Sequence, residues 1–127
     1  MTVRWTLGGD AADPQALARF WCAALGYVIE PGFDGDDCAS IVDPDLKLPT
    51  IGWLQVPEGK RAKNRIHIDI RVSGEPPWNP TTREHAIRSK VAELVALGAT
   101  RVRDEQYEDG FGHVVMLDPE GNEFCVA

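Results

Sequence analysis

The chain has 127 residues, with 13 Lys plus Arg against 20 Asp plus Glu and a formal charge of −7. That is the length of one domain, enough to bury a core without disulfide or metal staples. The acidity argues against nucleic acid or an anionic membrane surface as the main partner. Three scattered cysteines, Cys22, Cys38 and Cys125, form neither a disulfide framework nor a C-x-x-C zinc motif. No apolar run approaches the ~18 residues of a membrane span, and no leader-like segment opens the sequence. A reducing, cytoplasmic setting is expected.

Val3, Trp5 and Leu7 alternate with Arg4 and Thr6, which predicts a first strand over 3–7 with Trp5 in the core. Asp13-Pro14 opens a helix, Asp as N-cap and Pro in the first turn. Leu17, Phe20, Trp21, Ala24 and Leu25 share one helical face, with Trp21 in the core, and Gly26 ends the helix. Strands are predicted at 27–29, 38–42 and 50–56. The polar stretch 56–64 carries Lys60, Arg61 and Lys63 and reads as a solvated linker.

The order then repeats. Residues 65–72 alternate as a strand, with Ile66, Ile68, Ile70 and Val72 on one face and Arg65, His67, Asp69 and Arg71 on the other. A Pro-rich loop covers 73–80, and Trp78 within it reads as a pocket lid or a dimer contact. Thr81 to Glu84 has the form of a capping box. Ile87, Val91, Leu94 and Val95 stripe a second helix that Gly98 ends. Strands follow at 100–103, 113–117 and 123–126, with 104–112 as a loop. Both halves therefore read β-α-β-β-β. Ala24-Leu-Gly-Tyr27 echoes Ala96-Leu-Gly-Ala99, and Asp43-Pro44 echoes Asp118-Pro119. The expected division is a single domain over 1–127, with modules over 1–59 and 64–127 and a linker over 60–63.

Three segments carry a resemblance. They are Ala18-Arg-Phe-Trp-Cys-Ala-Ala-Leu-Gly-Tyr27, Asn64-Arg-Ile-His-Ile-Asp-Ile-Arg71 and Met116-Leu-Asp-Pro-Glu-Gly-Asn-Glu-Phe-Cys-Val126. In that order they resemble the vicinal oxygen chelate superfamily, which includes glyoxalase I and bleomycin-resistance proteins. The subgroup they most resemble is the short glyoxalase-like proteins. The resemblance implies an α+β fold. Two βαβββ modules would form a cupped mixed sheet, with the ligand on the concave face and helices on the convex one. It also implies a homodimer.

Metal-dependent members of this superfamily hold a divalent ion with one residue from each of four strands. Carried over, those positions fall on Thr6, Gln55, His67 and Cys125. Thr6 is a poor ligand for the divalent ions such enzymes use, and Cys125 is soft. The usual metal site is therefore not expected, and no cofactor is. The alternative is an atypical site using His67 with Gln55 and Glu123, or with Asp69 or His113.

His67 is the best catalytic candidate, as ligand or general base. The bland reading is a histidine hydrogen-bonded within its charged row. His113 reads as a strand-end surface residue, and Cys125 as a buried, inert thiol with no basic partner to activate it. The expected ligand-binding set is Thr6, Trp53, Gln55, Arg65, His67, Asp69, Arg71 and Cys125. Trp53 is included because it shares strand parity with Gln55. The expected function is metal-free binding of a small molecule, anionic or aromatic. A metal-dependent lyase, isomerase or dioxygenase of the glyoxalase type is the first alternative. A non-catalytic interaction module is the second.

Overall fold

The computed structural model describes residues 1–127, which divide into two compact units, Met1–Lys60 and Arg61–Ala127. The first contains β1 (Leu7–Ala11), α1 (Pro14–Leu25), β2 (Val28–Ile29), β3 (Cys38–Val42) and β4 (Ile51–Gln55). The second contains β5 (Asp69–Ile70), α2 (Pro80–Ala96), β6 (Thr100–Tyr107), β7 (Gly110–Leu117) and β8 (Glu123–Val126). Each unit is a four-stranded mixed sheet with one helix, and the strand orders correspond: β1-β4-β3-β2 and β5-β8-β7-β6. In each, the first strand runs parallel to the last and the remaining pairs are antiparallel.

α1 starts as its sequence dictates. The Asp13 carboxylate accepts a hydrogen bond from the Ala16 backbone N–H at 3.1 Å, and Pro14 fills the first position. Such a cap contributes about 1 kcal/mol. Gly26 ends the helix at φ 75°, a left-handed conformation that glycine adopts without strain. Leu17, Ala18, Phe20, Trp21 and Ala24 are buried with Ala39, Ile41, Ile51 and Trp53 of the sheet. Phe20 and Trp21 meet edge to face, with ring centroids 5.3 Å apart.

The first strand lies later than its alternation predicts. β1 begins at Leu7, paired with Ile51, because register is set by where β4 begins. Residues 1–6 belong to no strand, and Trp5 is 61% exposed, so its predicted core position is wrong. Trp5 instead lines an open groove of about 320 Å³ with Val3, Leu46, Leu48 and Thr50.

α2 is capped by Asn79, whose side chain accepts from the Thr82 N–H at 3.0 Å, with Pro80 at the first position. The predicted capping box at Thr81 lies two residues too late, because an Asn-Pro pair already starts the helix. Leu97 is the C-cap and Gly98, at φ 111°, ends the helix as predicted, its N–H donating to the Val95 carbonyl and the Ala99 N–H to the Leu94 carbonyl. Ile87, Val91 and Leu94 are buried with Val114, Met116, Phe124, Val126 and Ile70, while Val95 is exposed. The predicted strand over 65–72 shortens to Asp69–Ile70, and Ile66 is 76% exposed. The predicted loop over 104–112 is mostly strand, since β6 and β7 extend into a hairpin that turns at 108–109.

Candidate functional site

The ladders of the second sheet sort its side chains. Ile70, Val126, Phe124, Met116 and Val114 are buried on the side of α2. Side chains alternate along each strand and paired residues share a face. Asp69, its partner Cys125, Cys125's partner Val115 and Val115's partner Arg103 therefore face the other way. His113, paired with Glu105, continues that face along the strands.

One cluster stands at the β5–β8 end. His67 Nδ1 lies 2.7 Å from Asp69 Oδ1. Donor atoms of His67, Asp69 and Cys125 all lie within 4.8 Å of one another. Both His67 and Asp69 are exposed, whereas Cys125 is half-buried. Burial pushes the Cys125 thiol up to about 11, helped by the Asp69 charge and a hydrogen bond to that carboxylate. Arg103 and Lys63 pull weakly the other way. At neutral pH the thiol therefore keeps its proton and is a poor nucleophile.

A second cluster stands at the β6–β7 hairpin. Tyr107 Oη is 2.7 Å from His113 Nδ1. Arg103 bonds Glu105 at 2.5 Å and holds the Glu105 carboxyl below its usual range. His113 is thus paired inside a strand, where the sequence predicted a lone strand-end residue. The signal that was missed is the i, i+2 row Arg103, Glu105, Tyr107, hidden because the stretch is too polar to read as strand.

The structure brings together His67, Asp69 and Cys125 from the predicted set. Arg71 lies 4.0 Å from Glu75, and Arg65 is exposed. Glu123, the alternative metal ligand, instead accepts from the Asn64 backbone N–H at 2.9 Å. Thr6 is exposed ahead of β1. Trp53 is only 7% exposed, so it is a core residue and not a lining one. Trp53 and Gln55 share strand parity with Ile51, but Ile51 and Trp53 are buried whereas Gln55, at the strand end, is exposed. Gln55 pairs with buried Ala11, and its amide donates to the Ala12 carbonyl at 3.2 Å.

The donors do not fit a hard divalent ion held by four nitrogen or carboxylate ligands. Thr6 offers a neutral hydroxyl, Gln55 offers a neutral amide whose nitrogen donates to the Ala12 carbonyl, and Cys125 offers a protonated, soft sulfur.

The fold and a family match place the chain in the vicinal oxygen chelate superfamily. The match to the glyoxalase-like domain family spans residues 6–127, and the chain belongs to that family. No protein of curated function matches it in sequence. Solved structures share the fold at low identity. A glyoxalase/bleomycin resistance protein/dioxygenase family enzyme from Burkholderia phytofirmans is 16% identical at TM-score 0.71, covering 95% of this chain and 94% of that one. The fosfomycin resistance protein FosX from Listeria monocytogenes, with Mn(II) and dihydroxypropylphosphonic acid, is 11% identical at TM-score 0.71, covering 99% and 90%. Lactoylglutathione lyase from Agrobacterium tumefaciens is 12% identical at TM-score 0.63, covering 99% and 92%. No helix is long and apolar enough to cross a membrane.

Proposed function

We propose that the chain, as one glyoxalase-like domain, binds a small polar or anionic molecule on the face of the second sheet opposite α2. It does so without the four-donor metal centre of its metal-dependent relatives. The observation that carries this reading is the collection of His67, Asp69, Arg103, Glu105 and His113 on that face, beside a thiol held protonated. A small number of precisely placed polar groups is what orients a small ligand. Chelator-treated protein should gain melting temperature with members of a panel of small carboxylic and aromatic acids. His67→Ala should lose that response. A response that appears only after a divalent ion is added would refute the metal-free reading.

A metal-dependent lyase, isomerase or dioxygenase is the second reading. It is favoured by the His67, Asp69 and Cys125 donors lying within 4.8 Å of one another. Nitrogen, oxygen and sulfur together suit zinc better than manganese or magnesium. Metal analysis of protein purified without chelator separates the two readings. Stoichiometric zinc, lost in His67→Ala, would establish the second. The first reading also carries a cytoplasmic homodimer, and a monomer in sedimentation at micromolar concentration would count against it.

A further inference from the structure

Leu46 is the only non-glycine residue of the chain with a left-handed backbone, at φ 56°. Its turn recurs in the second unit. There the Gly121 N–H bonds the Asp118 carbonyl as the Leu46 N–H bonds the Asp43 carbonyl, both at 2.9 Å. Glycine takes that conformation without strain, whereas leucine raises the energy of the fold. Leu46 returns nothing through burial, because it is 68% exposed. Strain that packing does not offset points to a side chain held for another purpose. Leu46 also has company. Leu48, Trp5 and Val3 are exposed as well, and all four line one groove of about 320 Å³. Single exposed apolar side chains are ordinary, but four around one groove form a surface for an apolar body.

The groove carries charge of one sign. Arg4 and Lys47 line it. They are two of the four cationic side chains over residues 1–60, and none of the nine carboxylates in that stretch lines it. The Asp43 carboxylate feels Lys47, but the Asp45 N–H acts on it more strongly, and the Lys47 and Leu48 N–H groups occupy its other oxygen. Local positive charge in an otherwise acidic unit selects an anion. We propose that this groove binds a small amphipathic carboxylate, with its alkyl or aryl body against Trp5, Leu46 and Leu48 and its head group at Arg4 and Lys47. All the lining residues belong to the first unit, so the site shares none with the second-sheet face proposed above.

Octanoate, kept below its micelle concentration, is the probe, with octan-1-ol and octyltrimethylammonium as its neutral and cationic counterparts. Calorimetric titration should show octanoate binding several-fold more tightly than octan-1-ol, and the cation not binding. Equal affinity for all three would remove Arg4 and Lys47 from recognition and overturn the proposal. Leu46→Gly relieves the strain while removing the side chain, so this variant should melt higher yet bind octanoate several-fold more weakly. Wild-type affinity in that well-folded variant overturns the proposal. Replacing both Arg4 and Lys47 with Gln should weaken octanoate several-fold and leave octan-1-ol unchanged; unchanged octanoate affinity there overturns it too. His67→Ala should keep the octanoate affinity. Loss in that variant would move octanoate to the second-sheet face, overturning this site and supporting that one. Octanoate binding without any melting response to the acid panel would sink the earlier reading and leave this one standing. Two other occupants have their own signatures. A dimer in sedimentation that Leu46→Gly dissociates would make a second copy the occupant. Pelleting with phosphatidylglycerol vesicles, without octanoate binding, would make it a membrane surface. Either result overturns the proposal.

Discussion

The two units follow one chain path but present different chemistry at equivalent positions. Asp43-Pro44 follows β3 and Asp118-Pro119 follows β7. Just before these turns, Ile41 pairs with Ile51 and Met116 pairs with Phe124. One residue further along the last strand, Gly52 pairs with Gly8, whereas Cys125 pairs with Asp69. The first unit thus carries two glycines where the second carries a carboxylate and a thiol. The repeat preserves backbone pairing and buried apolar positions, and the donors vary freely on top of them. A fold of this kind constrains its buried face strictly and its other face hardly at all.

The largest test of this correspondence is in the cores. Phe124 is 1% exposed and Ile51 is 7%, and they hold equivalent ladder positions. Phe124→Ala should destabilise by about 3–5 kcal/mol and Ile51→Ala by about 2–5 kcal/mol. Denaturant unfolding followed separately by tryptophan fluorescence and far-UV circular dichroism checks whether both losses appear in one transition. Separate transitions, with each variant moving only one, would show that the units fold independently.

The next test breaks the correspondence on purpose. α1 presents a purely apolar face to its sheet, but α2 buries Arg83, which is 8% exposed. Its guanidinium donates to the Phe111 carbonyl at 2.6 Å and the Gly112 carbonyl at 2.5 Å, and it stacks 4.9 Å from the Trp78 ring centre. A cation thus ties the helix start to the β7 end of the hairpin. Arg83→Met keeps the packing and removes both donors. It should destabilise by about 2–3 kcal/mol, as expected for bonds from a charged group to buried carbonyls. Hydrogen exchange should rise first in the 104–113 hairpin. Uniformly raised exchange would show that the clamp is not local.

How much of this was legible in the sequence depended on how local its cause was. The ends of α1 could be read because Asp13, Pro14 and Gly26 each act on their own turn. β3 and β8 fall where predicted because dense apolar residues bracketed by turns leave little freedom. β1 could not be placed. Val3, Trp5 and Leu7 alternate well, but the pairing partner lies more than 40 residues away, and Gly8 and Gly9 have poor strand propensity. Among site residues, alternation alone put His67 and Asp69 on one face. The Asp69–Cys125 contact needs the parallel β5–β8 register, which no local pattern encodes. Gln55 stands exposed at the end of β4, where its amide donates to the Ala12 carbonyl, a contact that motif matching does not encode.

A smaller effect, opposite in sign between the units, lies in the repeated turns. Each turn is held by its Asp: Asp43 accepts from the Asp45, Lys47 and Leu48 backbone N–H groups, and Asp118 from those of Glu120 and Asn122. Four residues in, Gly121 has φ 82° and Leu46 has φ 56°. Leucine in that region carries a penalty of roughly 1–2 kcal/mol that glycine escapes. Leu46→Gly should therefore raise stability by up to about 1 kcal/mol, the gain being reduced by glycine's greater unfolded-state freedom. Gly121→Ala should lower it by about 1 kcal/mol, through φ strain alone, since open space surrounds the position. Equal signs in chemical denaturation would show that the turns are not equivalent.

The smallest effect separates the units by the kind of acid sensitivity each carries. In the first, backbone hydrogen bonds, that from Asp45 foremost, hold the Asp43 carboxyl below its ordinary 3.8. In the second, burial pushes Asp104 up, but Arg101 at 2.6 Å and Arg88 at 3.2 Å more than offset this and leave it lowered. A depressed carboxyl contributes stability that is full above its unfolded value and is lost as pH falls through the folded value. Both contributions should therefore fade below about pH 4, near the unfolded carboxylate value. Salt tells them apart. The Asp104 pairs involve half-exposed arginines and are screened at high ionic strength. The Asp43 bonds run to backbone amides of its own turn and respond little to salt. Melting curves from pH 5 to pH 2.5 should show Asp104→Asn flattening the acid slope in low salt and changing nothing in 1 M salt, where the Debye length is about 3 Å. Asp43→Ala should flatten the slope at both ionic strengths. If both variants respond alike to salt, the Asp43 turn and the Asp104 pairs are held by the same electrostatics, and the contrast drawn between the units does not extend to their charges.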